Sequence, residues 1–389
     1  MKIVIATPIL YAPNSPFNHL MKDILQGLLA EGHEIIRIVA TDDLQDTSYK
    51  MGIEDITYIP VLRKKAEHAN IIQRYLTDTI TNMKMARLIK KSGADVLFED
   101  VSYSSFWAVR AAKRKKMRVV SMLQDVWPDN AVQSGLIRGN SLVYKFFAFW
   151  QRPVYKHSHR LICISDDMKA FVVSKGVAED KIGVIYNWGY TDETVNIPWE
   201  ENAFVKKHAL SADSFYAIYA GNIGRMQNVE LILEAAQHLK TEQKIRFLII
   251  GEGARYEAIR QMAADMALSN VEFLPFQPSE LATSIYSAAG VNLIPLVPGG
   301  VQTALPSKTG VCLSCGQPVV FCFGKNCRFA KLAETYKAGA CVSAEDAEEL
   351  AAAIRGIAQD PAKEKRYGLF LEKFVKESNV KQYVREIAG

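Results

Sequence analysis

Residues 216–236 read YAIYAGNIGRMQNVELILEAA. The apolar run Tyr216–Ala220 has the length of a buried strand, and Val229–Leu239 repeats its apolar residues at helical spacing. Between them, Gly221 and Gly224 let the backbone come close to a ligand at the strand's carboxyl end. Arg225 adds a fixed positive charge with several donors, the chemistry that suits phosphate. Strand, glycine turn and helix form the repeating unit of a parallel α/β sheet, whose ligands gather at strand carboxyl ends. Taken alone, such a turn is equally compatible with simple close packing, so the rest of the chain must decide.

The same alternation runs outward in both directions. Lys2–Thr7, Glu34–Val39, Val96–Phe98, Val119–Leu123 and Leu161–Ile164 read as strands, with helices such as Phe17–Ala30 and Arg74–Lys91 between them. Beyond the opening stretch, Arg246–Ile250, Val271–Leu274, Val291–Ile294 and Pro318–Cys322 are strands. Arg255–Met266, Ser279–Ala288 and Ala347–Ala358 are the intervening helices. A chain of 389 residues exceeds the roughly 250–300 at which one core stops growing. The expectation is an α/β chain of two Rossmann-like domains facing across a cleft. The first covers residues 1–190 and the second 191–372, joined where Asn187-Trp188-Gly189 through Ile197-Pro198 interrupts both periodicities. The last amphipathic stretch, residues 373–389, is expected to return to the first domain.

A second cationic group sits in LPSKTGVCLSCGQPVV, residues 305–320. Pro306 suits a first helical turn, the Ser307 hydroxyl suits a cap, and Lys308 adds charge where a helix already offers free N–H groups. Those sixteen residues also fit an ordinary helix start with a surface lysine. Elsewhere, Ile250-Gly251-Glu252-Gly253 sets a carboxylate at another strand end, and Phe273-Leu274-Pro275-Phe276 ends a strand with an aromatic that fits either the core or the wall of a base site.

Composition narrows the classes. The chain is 49% hydrophobic and 23% charged, as globular proteins are, and it contains no apolar run of the roughly 18–20 residues that span a membrane. The opening MKIVIATPIL runs into strand-like sequence, and a cytoplasmic protein is expected. Six cysteines in mostly apolar surroundings read as reduced thiols; Cys312-x-x-Cys315 lies within a helix and its neighbours Cys322 and Cys327 lack zinc-ribbon spacing, so no metal is expected. Residues 1–190 carry 26 Lys and Arg against 19 Asp and Glu, whereas 191–389 carry 21 against 23. Runs such as Arg63-Lys64-Lys65 and Lys113-Arg114-Lys115-Lys116 lack interleaved aromatics, which favours anionic lipid or a phosphate-bearing acceptor, or a plain solvated surface, over nucleic acid. The stretch Tyr144–Arg152 is aromatic with flanking cations, compatible with a buried helix or with one lying on a bilayer.

The order GNIGR, GEG, FLPF, LPSK and GQPVV, with YNWGY at the join, resembles the nucleotide-sugar-dependent glycosyltransferases of family 4, which have the GT-B architecture. Within that family, Pro306-Ser307-Lys308 and Gln124-Asp125-Val126-Trp127-Pro128 are similar to segments of bacterial polysaccharide enzymes of the N-acetylfucosaminyltransferase-like group. The resemblance implies transfer of a sugar from a nucleoside diphosphate, UDP by family habit, to a lipid-linked saccharide acceptor of a bacterial surface polysaccharide, with retained anomeric configuration and without cofactor or metal. It implies that Arg225 and Lys308 hold the phosphates with Asn222, Gly224 and Ser307. Glu252, Pro275 and Phe276 would lie near the nucleoside, and Asp125, flanked by Gln124 and Trp127, would meet the acceptor or transferred sugar. Peripheral contact with the inner membrane surface, and no nucleic acid, complete the expectation.

Two departures stand out. The family's pair of glutamates eight positions apart aligns with Thr303 and Val311, neither of them acidic, so the donor sugar and its ribose contact are not read from that pair, and Thr303 is expected among the donor-binding residues. Gln124 stands where many relatives have histidine, and no side chain is assigned as general base. Two competing readings remain at this point. A nucleotide-sugar epimerase of the same architecture needs acid and base groups at strand ends, where the seven histidines do not fall convincingly. A non-catalytic partner would tolerate loss of Arg225 or Lys308.

Overall fold

The computed structural model describes residues 1–11, 15–64, 71–189, 195–359 and 372–389. Tyr190 of YNWGY, Lys65 of the first basic run and part of the expected join lie outside the described residues. The chain forms two compact units. One holds Met1–Val132, Ile137–Tyr186 and Glu377–Gly389; the other holds Gln133–Leu136 and Asn187–Lys376.

In the first unit, β1 (Lys2–Thr7), β2 (Glu34–Thr41), β3 (Thr57–Leu62), β4 (Val96–Asp100), β5 (Arg118–Leu123), β6 (Arg160–Cys163) and β7 (Ile182–Val184) form one sheet in the order β3-β2-β1-β4-β5-β6-β7. Every pairing is parallel, and the order reverses between β1 and β4, where α/β sheets open a crevice for ligands. β1 is buried along almost its whole length, as a strand covered by helices on both faces must be. The first covering helix, Pro16–Ala30, begins with proline in its first turn and with Ser15 accepting from the Asn18 N–H.

The helix Lys376–Ala388 belongs to this first unit. Tyr383, Val384 and Ile387 are buried, and the Tyr383 ring meets Phe98 at 6.3 Å. Arg160 donates Nε and Nη2 to the two carboxylate oxygens of Glu386 at 2.6 Å each. Arg118 donates to the Ile387 carbonyl. Gly27 makes the approach possible, because a Cβ there would stand 2.6 Å from Val380.

In the second unit, β8 (Phe215–Ala220), β9 (Ile245–Ile250), β10 (Val271–Leu274), β11 (Val291–Pro295), β12 (Val319–Cys322) and β13 (Ala340–Cys341) are ordered β10-β9-β8-β11-β12-β13, again all parallel. The reversal lies between β8 and β11. Its core joins Tyr219, Phe247, Ile249 and Leu293 of the sheet to Val229, Ile232 and Leu233 of the helix Val229–His238.

Three strands escaped the sequence reading. β3 contains Pro60, which an edge strand tolerates, and β7 and β13 are too short to show a period. β4 runs two residues past the expected end because Glu99 and Asp100 are buried carboxyl groups with donors of their own.

Candidate active site

At the carboxyl end of β8, Gly221 donates its N–H to the Ile250 carbonyl and Ile223 donates to that of Glu252, so the turns after β8 and β9 lie against each other. Glycine is required for this contact. A Cβ on Gly251, whose φ is +139°, would stand 1.9 Å from the Gly221 carbonyl oxygen. A Cβ on Gly253 would stand 2.4 Å from the Ile223 oxygen and 2.6 Å from the Asn222 side chain, so Asn222 fills the space between Gly224 and Gly253.

Lys308 reaches into this turn. Its Nζ donates to the Ala220 carbonyl at 2.9 Å, lies 3.6 Å from the centre of the Tyr219 ring and stands 3.2 Å from where Gly221 would carry a Cβ. Among the described residues no carboxylate pairs with it, and burial pushes its ammonium down to about 7. The sequence brought Lys308 to a helix start; the structure brings it to the glycine turn of β8, and its alkyl stem provides the reach. The Ser307 cap is corrected. Ser307 has helical dihedrals and its hydroxyl makes no capping hydrogen bond, because Lys308 opens a short helix, Lys308–Ser314, whose Gly310 packs on the backbone of Trp188 and Gly189.

Around this centre the expected donor residues divide. Arg225 is exposed on the same turn and makes no ion pair with a described residue, leaving its guanidinium open to a ligand. Glu252 is exposed beside it. Pro275 and Phe276 follow β10 on the surface, and Phe276 is 64% exposed, so the core reading for that ring is corrected. Thr303 is also a correction as a side-chain contact for the donor: it is fully buried, with its hydroxyl bonded to Gln133 Oε1 and to the Gly300 carbonyl. Val311 is buried too. Tyr219 was missed, although strand alternation puts it on the same face as Gly221; its hydroxyl donates to the Asn222 carbonyl at 2.5 Å and its ring supports Lys308.

In the first unit, Asp125 follows β5 and keeps an open face to solvent, while desolvation by the protein around it pushes its carboxyl up to about 6. Trp127 is half-buried against Tyr103 and Phe147, with ring centres 5.7 and 5.1 Å away. Gln124 is half-buried between β5 and Asp125. Two acidic neighbours lie beyond the strand end expected at Phe98 and had no role in the sequence reading. Asp100 accepts from the Tyr11 hydroxyl at 2.6 Å, and burial, with a smaller contribution from the Asp125 charge, raises it to about 7. Glu99, deeper in β4, accepts from Ser121 at 2.9 Å and is raised by burial to about 8.

A strand-end glycine turn with a buried lysine and an open arginine, on one of two doubly wound sheets, lies where α/β proteins of this class bind their ligands. The family follows from sequence. Residues 18–192 match the model of Glycosyltransferase Family 4 and residues 200–370 that of Glycosyl transferases group 1, and the chain belongs to these glycosyltransferases. It is 25% identical over 213 residues to a Pseudomonas aeruginosa protein named as glycosyltransferase WbjE, a match covering 55% of this chain and only about half, 53%, of that relative. It is 27% identical over 284 residues to an Escherichia coli K12 protein named as colanic acid biosynthesis glycosyl transferase WcaI, covering 72% and 69%. Anabaena HepE, solved with UDP and glucose, shares the fold at a TM-score of 0.74 and 14% identity, covering 100% and 99% of the two chains. The chain thus has the GT-B fold, with a Rossmann-like parallel sheet in each half. Among the described residues no three His, Cys, Asp or Glu side chains converge as metal ligands, and no helix is long and apolar enough to cross a membrane.

Proposed function

We propose that this chain is a retaining glycosyltransferase of bacterial surface polysaccharide synthesis, moving a sugar from UDP to a polyprenyl-diphosphate-linked saccharide at the cytoplasmic face of the membrane. The observation that carries the reading is the Lys308 ammonium held at the glycine turn of β8, with Arg225 on the same turn. The UDP complex of a protein of the same fold and the names of the two relatives support it. In the reaction the acceptor oxygen bonds to the anomeric carbon as the bond from that carbon to the β-phosphate oxygen breaks. The diphosphate leaves with the electron pair, and the acceptor's proton passes to a phosphate oxygen. Lys308 and Arg225 stabilise the charge that grows on the leaving group, so no metal is required. Glu252 and Phe276 attend the nucleoside, and Asp125 with Trp127 the acceptor or transferred sugar.

Membrane contact is assigned to the helix Leu142–His157. Phe147, Val154 and Tyr155 are buried, whereas Leu142 is 82% and Phe149 62% exposed, beside Val143, Phe146 and Lys145 on the surface. Exposed apolar and aromatic side chains with flanking cations suit an anionic bilayer surface. Transfer from a panel of UDP-sugars should be measured to a polyprenyl-diphosphate saccharide in anionic vesicles and to a soluble acceptor. The expected product of an α-linked donor is an α linkage by proton NMR. The double variant L142S/F149S should lose about tenfold on vesicles and nothing on the soluble acceptor. A β linkage overturns retention, equal rates on vesicles overturn the membrane contact, and no transfer from any UDP-sugar overturns the donor.

A further inference from the structure

The first unit contains a cavity of about 290 Å³ that the donor site does not use, lined among others by Thr7, Tyr11, Arg37, Thr41, Asp42 and Tyr49. The register Ile5 to Arg37 and Thr7 to Val39 between β1 and β2 places Thr7, Arg37 and Thr41 on one face of the sheet, toward its carboxyl end. Arg37 interrupts an otherwise apolar strand, EIIRIVAT, and is 1% exposed. One of its terminal nitrogens donates to the Tyr49 carbonyl at 2.7 Å and to Met51 Sδ at 3.7 Å, and the guanidinium also meets the Tyr58 hydroxyl, but its Nε has no partner and no described carboxylate pairs with the guanidinium. Burial lowers it only to about 10, so it is charged at neutral pH. Thr7, also 1% exposed, has a buried hydroxyl without a partner. A buried cation and a buried hydroxyl, both short of partners on one cavity wall, call for an acceptor from outside the protein.

We propose that this cavity is a subsite for a sugar unit bearing a single carboxylate, of the hexuronic acid type, within the acceptor. A carboxylate matches the guanidinium fork and the Thr7 hydroxyl. Asp42 and Asp46 on the outer lining disfavour a doubly charged phosphate and suit sugar hydroxyls. Ligand pockets usually run to about 300–1,000 Å³, so this one fits a single ring better than a longer chain. The Tyr11 ring, stacked on Phe17 at 4.0 Å, offers a flat apolar face for it. Tyr11 also ties the cavity to the acceptor side, because its hydroxyl donates to Asp100, which feels the charge of Asp125. Only the word acceptor rests on the glycosyltransferase reading; recognition of the sugar acid does not.

The test is titration of the full chain with glucuronate, glucose and inorganic phosphate by ligand-observed NMR, with UDP affinity measured in parallel. Glucuronate should bind in the millimolar range, about tenfold more tightly than glucose and than phosphate. Thr7→Val should weaken glucuronate about tenfold with UDP affinity unchanged, and Arg37→Met should remove the preference for glucuronate over glucose. Arg37 also anchors Tyr49, so if its variant fails to fold, Thr7→Val decides alone. Equal binding of glucose, tighter binding of phosphate, or glucuronate binding indifferent to Thr7→Val overturns the proposal. Glucuronate binding without any UDP binding would leave the subsite standing and count against the donor reading.

Discussion

Replacing Lys308 by methionine is expected to lower the rate of sugar transfer by about a hundredfold to a thousandfold, the usual cost of removing one positioned donor to a developing negative charge. Methionine keeps the unbranched stem beside the Tyr219 ring and the Ala220 carbonyl and deletes only the ammonium. The lowered value of about 7 gives the experiment a second readout. A bound diphosphate favours the charged lysine, so at pH 8 the free protein holds it largely neutral and the complex holds it protonated. UDP binding to the wild type should then take up close to one proton, seen by calorimetry in two buffers of different ionisation enthalpy, and binding to the variant should take up none.

The same residue shapes stability. Its folded value lies below its unfolded value near 10.5, so the unfolded chain binds more protons between those two limits. The wild type therefore gains stability as pH rises from about 7 to 10.5. The variant lacks that gain. A transfer rate within threefold of wild type would place Lys308 outside the chemistry and make it a structural tie between the helix Lys308–Ser314 and β8.

Gly251→Ala is expected to cost about 3 kcal/mol or more and to abolish UDP binding. The added methyl would meet the Gly221 carbonyl at 1.9 Å, at a φ of +139° that side chains avoid. Both clashing partners are backbone, and neither can rotate away. The end of β8 or of β9 must move, and with it the turn that Lys308 touches. Gly32→Ala is the control: its φ is +76° but nothing lies within 4 Å, so only the backbone penalty of about 1 kcal/mol applies. Urea unfolding of the two variants separates the effects, and equal midpoints would show that the two turns do not bear on each other.

Much of this was legible in the sequence because it depends on local pattern. Strand and helix periods located most of the sheet, and the glycines of GNIGR and GEG marked the turns that require them. Lys308 was found by its place at a helix start, although the reason was different: a long flexible stem carries its charge to another strand's end. What the sequence hid depends on tertiary partners. Glu99 and Asp100 lie past the expected strand end at Phe98, and their roles depend on Ser121 and Tyr11, which donate to them. Thr303 looked available until its burial was seen. Tyr219 and Arg37 were visible as residues, yet their roles depend on what lies opposite, and a period of two cannot name that.

The central claim is that the second unit grips a nucleoside diphosphate. Thermal unfolding of the wild type with UDP, GDP, ADP and CMP, all at one concentration of about a hundred times the dissociation constant of UDP, tests it most directly. The account predicts that UDP stabilises the chain by about 2.7 kcal/mol and that CMP, which lacks the second phosphate, stabilises it far less. A chain indifferent to all four nucleotides would contradict the account and return the protein to the class of partners that keep the fold without the chemistry.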